Sequence, residues 1–375
     1  MVFFKFELKR FLKNPKNKIC LGILIVIFLG LFILNEILFA RSFSNIELDI
    51  ARQNLQQSTQ MVSTLEQKVS VDQNNEKDTI ALEQAKIEQK ILEEQLLSLE
   101  KKDYERFAQL ENNLNYLKLK SISDQNSSEY KSIKAKIDYY EKIESIGAEH
   151  SASINNSKSA SFVASKSMMG WLASTTILVL LTVLISDSVS SEIESSQIRF
   201  YPLIGGRKLR YLFLKLLVPA MVCFLLTAGL FSLLYLFQGF RTNFGAWKYP
   251  YLLPDGTLET VGSIALKSLI LYFIALLFLS SLGQFLSLIF KKSLVVIGLI
   301  VVFLTGFATF SQEEWFQPIK KFLPFEYLGY GQLVNDIDIL PNNSFTIAIL
   351  YLLSLSFVLF LISSYLYQNF FYRKG

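Results

Sequence analysis

Histidine and cysteine are almost missing from these 375 residues, which hold one of the first and two of the second. The lone His150 sits in a serine-rich polar stretch. With no second histidine and no cysteines at ligand spacing, it makes neither a metal site nor a Ser/His/Asp arrangement. Cys20 and Cys223 lie inside apolar runs, which argues against a disulfide framework and suits small buried hydrophobes. The phosphate-binding pattern G-x-x-x-x-G-K-S/T is missing too. Gly205 and Gly206 precede Arg207 and Lys208, but the earlier glycine and the closing hydroxyl residue are not there. No catalytic residue, metal or cofactor is therefore assigned to the chain itself, and a self-sufficient enzyme is not expected. Between residues 41 and 168 proline is missing and glycine occurs once, so little there breaks a helix.

What the chain has in abundance is apolar length. Hydrophobic residues make up 51% and aromatics 14%. Six runs approach or exceed the ~20 residues that span a bilayer. They lie at about 19–39, 169–187, 211–237, 264–290, 294–311 and 344–367. The first is too long and too late for a cleaved signal peptide and is expected to remain as a span. The net charge of +5 is unevenly placed. Residues 41–168 carry 17 Lys/Arg against 20 Asp/Glu, so the excess lies in the rest of the chain. That distribution reflects topology, and no nucleic-acid partner is expected.

Orientation follows from the positive-inside rule. With the N-terminus inside, segments 1–18, 188–210 with Lys215, 291–293 and 368–375 hold 15 Lys/Arg. The two short outer loops, with Lys267, hold five. Both termini are expected in the cytoplasm and residues 41–168 outside. Residues 1–18 form an interfacial amphipathic helix. Phe4, Leu8 and Phe11 share its acyl-facing side, Lys5, Lys9 and Lys13 share another, and Pro15 ends it. Residues 19–40 are the first transmembrane helix.

The outer segment 41–168 is expected to be a helical rod. Its longest uninterrupted pattern, about 76–120, spaces Leu82, Ile87, Leu92, Leu96, Leu99 and Leu110 mostly three to five residues apart. With breaks at Asp72–Asn75 and Asp124–Ser128, three antiparallel, coiled-coil-like helices follow. Their seam, within 45–146, has to be buried internally or on an outer partner. Residues 147–168 are expected to return the chain to the bilayer partly as a flexible linker.

Residues 169–375 carry spans two to six. Between the last two, 312–343 places Trp315, Phe316 and Phe322 on an outer helical element, either as interfacial anchors or as a short hairpin. Two intramembrane polar residues are candidates for a substrate path. Glu36 either lines it or reaches the outer headgroups. Gln284, beside Ser280, Ser281 and Gly283, either lines it or hydrogen-bonds a neighbouring helix. Asp187 closes the second span and is expected to cap a helix or pair with a base.

The most telling segment is the cytoplasmic loop 188–210. Glu192 and Glu194 are followed by Ser195 and Ser196, then Arg199, Tyr201-Pro202-Leu203, Arg207-Lys208, and Lys215 entering the third span. This order resembles the loop after the second span of ABC-2 type transporter permeases. A glycine usual before the hydroxyl residue is replaced by Ser195. The resemblance covers about 1–40 and 169–375. It implies an all-α polytopic membrane protein with six transmembrane helices, here with an extracytoplasmic helical insertion between helices one and two. It implies a permease subunit of a bacterial plasma-membrane exporter for amphipathic peptides or lipid-like substrates. ATP and Mg would be bound by two partner ABC ATPase subunits, next to a second permease copy or a sister permease. Glu192, Glu194, Ser195, Arg199, Pro202, Arg207 and Lys208 would couple the ATPase to the spans. The large insertion also resembles two other groups. One is the ABC-2-related cell-surface scaffolds or receptors of secretion systems. The other is the mechanotransmission class, which has three spans after its outer domain where this chain has five.

Overall fold

The computed structural model describes residues 2–38, 40–71, 75–122, 124–125, 127–146, 158–197, 208–335 and 344–372. Among these, six helices are long and apolar enough to cross a membrane: Pro15–Glu36, Thr175–Glu194, Leu209–Arg241, Val261–Phe290, Ser293–Phe310 and Phe345–Asn369. They match the six apolar runs, with the second displaced toward the C-terminus. The chain divides into two compact units. One contains residues 1–30, 164–235 and 263–375, and the other contains 31–163 and 236–262.

The first unit begins with α1 (Val2–Lys13). The backbone N–H of Lys16 donates to Asn14 Oδ1 at 3.0 Å, so Asn14 caps α2 (Pro15–Phe32) with Pro15 as its first residue. Phe11 and Glu7 are buried on α1 and Phe4 and Leu8 partly so, while Phe6 and Leu12 are exposed. The face expected to meet acyl chains is thus turned onto protein. Residues 158–171 are no linker: Ala160–Trp171 is a helix, α7, with Ala160, Ser161 and Ser165 fully covered or nearly so. Small side chains there let other backbone approach. A Cβ on Gly329 or Gly331 would collide with Ala173 or the Met169 carbonyl.

Helix α8 (Thr175–Ile185) and the short α9 (Ser190–Glu194) are joined by a turn. Then come α10 (Lys208–Arg241), α11 (Val261–Phe290) and α12 (Ser293–Phe310). Buried side chains concentrate on α8 and α11 (Ile177, Leu181, Leu184, Leu271, Tyr272, Leu279), whereas α2, α12 and α15 (Ser344–Tyr372) leave most of their apolar surface open. Such open apolar faces suit a lipid solvent. Lys291, in the left-handed region at φ 59°, reverses the chain between α11 and α12.

In the second unit a π-helical turn, Ile33–Leu38, leads toward α3 (Ala40–Val71). The 76–120 stretch is not one helix. It divides into α4 (Glu76–Glu100) and α5 (Tyr104–Ser121), followed by α6 (Ser128–Ser145), so four helices replace the expected three. The break is a Schellman closure. Lys102 adopts φ 59°, its N–H reaches the Leu99 carbonyl at 3.1 Å, and the Asp103 N–H reaches the Ser98 carbonyl at 2.8 Å. The Asp103 side chain then caps α5 through the Arg106 N–H at 3.1 Å. Each helix packs on the next. At 1.5 Å per residue the longest, α3, measures about 48 Å, short of the ~65 Å implied by an unbroken 45-residue helix. The unit also holds an antiparallel hairpin, β1 (Pro250–Leu252) and β2 (Leu258–Thr260), turned at Gly256 with φ 80°. Ile143 of α6 meets Tyr249 and Val261 there, and the Tyr139 and Tyr249 hydroxyls lie 3.1 Å apart.

Candidate coupling site

Three elements of the first unit converge on one carboxylate. Glu192, on α9, is 0% exposed. It accepts from the Tyr211 hydroxyl and from Lys215 Nζ on α10, and pairs with the Arg10 guanidinium of α1. Lys215, itself buried, also pairs with Glu7 Oε2 at 2.7 Å and lies 5.5 Å from the Tyr211 ring centre. A second pair sits beside the first. Lys16 Nζ donates to Asp187 Oδ1 at 2.6 Å and to the Val183 carbonyl at 2.7 Å. Three acids and three bases balance, as buried charges must if desolvation is to be offset. Glu7 explains itself here: at i+3 from Phe4 and i−4 from Phe11 it shares the inward face of α1.

Pro219 creates the acceptor that steadies the neighbouring turn. Its ring nitrogen carries no hydrogen, so it cannot donate the usual helical bond to the Lys215 carbonyl. Ser188 Oγ donates to that carbonyl at 3.4 Å. On the same stretch of α10, Ser280 Oγ donates to the Leu216 carbonyl at 3.0 Å and Gln284 Nε2 to the Leu212 carbonyl at 3.1 Å. Gln284, 1% exposed, therefore ties α11 to α10. Ser287 Oγ reaches the Ser186 carbonyl at 3.3 Å. Gly283 lies against the Ser186 backbone.

Glu194 behaves differently from Glu192. It is exposed, and its carboxylate accepts the Ser293 N–H at 3.0 Å, at the positive end of α12. Ser190 and Ser293 hydroxyls lie 3.2 Å apart. Ser195, Ser196 and Gln197 are exposed, with Ser196 at φ 57°. Gln197 accepts from Arg10 at 2.7 Å. The described helix of this loop is five residues, Ser190–Glu194. Arg199, Pro202 and Arg207 lie outside the described residues, as does His150. Lys208 begins α10. Sequence reasoning missed Glu7, Arg10, Lys16 and Tyr211. Their visible signal was an acid on an otherwise apolar face and two bases next to the first span.

The other candidates lie elsewhere. In the second unit, the Glu36 carbonyl accepts from Arg241 at 2.7 Å within the π-turn. In the first unit, Trp315 and Phe322 are exposed on a run of short helical turns, Glu314–Phe316, α13 (Gln317–Lys320) and Pro324–Tyr327. Helix α14 (Tyr330–Asn335) follows. Phe316 packs on Phe307 at 5.9 Å. Within this run Glu326 and Lys320 are both buried and pair at 3.3 Å. Burial pushes the Glu326 carboxyl up from 4.5 to about 7, against the pull of Lys320. A raised acid favours the folded state while neutral. Its contribution is complete below about pH 4.5 and is lost as pH rises through about 7. Protection of the amides at 317–335, after correction for the intrinsic pH dependence of exchange, is expected to fall between about pH 4.5 and 7 in the wild type and to stay level in Glu326→Gln. Equal slopes would remove Glu326 as the cause.

A family model described as "ABC-2 family transporter protein" matches residues 19–365. The match takes in all six apolar helices and the helical insertion. Searches of curated proteins and of solved structures returned no match. Permeases of this family are typically non-catalytic and typically pair with ABC ATPases. With most of its length so matched and six helices able to cross a bilayer, this chain belongs to the ABC-2 family of transporter membrane proteins.

Proposed function

We propose that this permease exports an amphipathic peptide or lipid-like molecule across a bacterial plasma membrane. Two copies, or one copy and a sister permease, work with two ABC ATPase subunits. The ATPase docks at the cytoplasmic loop after the second span. The observation carrying this is the fully buried Glu192, which joins α1, α9 and α10 through Arg10, Tyr211 and Lys215. A short helix bolted by charge to a long apolar helix can pass a push applied at its exposed end. Glu192 is then the internal bolt, and the contact surface is Glu194, Ser195, Ser196 and Gln197 with the basic stretch Arg199–Lys208. The 15-to-5 charge bias supports a cytoplasmic position for this loop and an outer position for 41–168.

A single cysteine at Ser196, in a background lacking Cys20 and Cys223, is the test. With a bifunctional thiol–amine reagent it is expected to cross-link to a polypeptide bearing a phosphate loop. A cysteine at exposed Ser63 is expected to react with an impermeant maleimide on intact cells, and the one at Ser196 only after lysis. Cross-linking solely to proteins without a phosphate loop would sink the coupling assignment, and labelling of Ser196→Cys from outside would sink the orientation.

A further inference from the structure

The four helices of the second unit pack in sequence, and residues of all four line a trough. Its volume is about 410 Å³, within the range of small-ligand or short-peptide sites. Leu92 and Leu114, both buried, form an apolar floor midway along it. At one end Gln95, 4% exposed, donates to Glu111 Oε2 at 2.8 Å. At the other, Lys118 pairs with Glu88 at 3.7 Å, and Lys136 of α6 lines the trough as a second cation. Asn54 and Gln57 line the α3 side. Asn54, Gln57 and Lys136 make no hydrogen bond or ion pair with other described residues.

The lining selects a chemical class. It contains no aromatic ring, so it lacks the flat apolar platform on which a sugar ring would stack. Two carboxylates disfavour free phosphate. The amides and charges make it too polar for an acyl chain. Side-chain amides hydrogen-bond peptide groups well, donating and accepting. Glu111 and Lys118 stand seven residues apart on α5, or about 10 Å at 1.5 Å per residue. Four residues of extended chain cover about 13 Å at about 3.3 Å each, within reach of these long side chains, and place side chains one, three and five on a single face. We propose that this trough binds a short extended peptide segment carrying a cationic and an anionic side chain four residues apart, on one face with an apolar side chain between them. The cation sits at the Glu111 end, the anion at the Lys118 and Lys136 end, and an apolar side chain over Leu92 and Leu114. The assignment stands apart from the export reading, since it concerns binding alone.

The test uses the full chain in nanodiscs of zwitterionic lipid, with fluorophore-labelled pentapeptides read by anisotropy against empty discs. The probes are blocked Lys-Ala-Leu-Ala-Glu, Lys-Ala-Leu-Ala-Lys and Glu-Ala-Leu-Ala-Glu. Wild type is expected to bind the mixed-charge peptide about tenfold more tightly than either like-charged one. Lys118→Glu with Lys136→Glu is expected to invert this and bind the dicationic peptide best. A gain of that kind is outside the reach of a misfolded variant. Equal binding of all three peptides by wild type, no saturable binding at all, or loss without the gain in the double variant overturns the proposal.

Discussion

Glu192→Lys is expected to unfold the corner of the first unit where α1, α9 and α10 meet. The new ammonium would sit beside Arg10 and Lys215 where those two now share a carboxylate. Breaking a buried ion pair costs about 3–5 kcal/mol, and here a third cation is added to the two left behind. For a chain of this size the midpoint of thermal unfolding should fall by roughly 4–7 °C. Intrinsic tryptophan fluorescence of the detergent-solubilised protein measures it. Glu192→Gln keeps an acceptor for Tyr211 and should lose less. Glu194→Lys, on an exposed side chain, should leave the midpoint nearly unchanged while weakening the cross-link from Ser196→Cys to the ATPase. A Glu192→Lys protein as stable as wild type would show that the network does not hold this corner together. The contrast matters for function. One acid of the loop supports the fold, and its neighbour two residues on is available to a partner.

Gly283→Ala is expected to destabilise, and Gly298→Ala is not. A Cβ on Gly283 would overlap the Ser186 backbone, which has no freedom to rotate away. Overpacking of this kind costs about 1–3 kcal/mol, and Gly283→Leu should exceed that and reduce the amount of folded protein in the membrane. Gly298 has nothing within 4 Å of the same position, so alanine there gains up to about 1 kcal/mol of helix propensity. The two substitutions are chemically identical, and melting curves should separate them in sign. Equal shifts would mean that the close approach of α11 to the end of α8 is not a constraint. Because Ser287 also reaches the Ser186 carbonyl, a wider gap here would disturb the turn that presents α9.

The six apolar spans were legible because hydrophobic length is a one-dimensional property, readable without knowing any contact. The start of the second helix had a local signal, asparagine followed by proline, of which the sequence reading used only the break at Pro15. The α4–α5 break was hidden because its left-handed residue is Lys102, where glycine would have announced it. The β-hairpin had a signal, Pro254-Asp255-Gly256 between short apolar strands, that went unread in a chain dominated by helix. Loop acids at Glu192 and Glu194 read alike in sequence, since periodicity over five residues cannot say which side faces a neighbour. Glu7 and Lys215 are separated by 208 positions, and no local pattern links them. Composition and run length alone determined that this protein crosses a membrane. Which charges are buried together, and therefore which support the fold and which remain at the surface, was decided only by the packing of α1, α9 and α10. Ion pairing depends on distances of a few ångströms between segments far apart in the chain, and those distances exist only once the helices have packed.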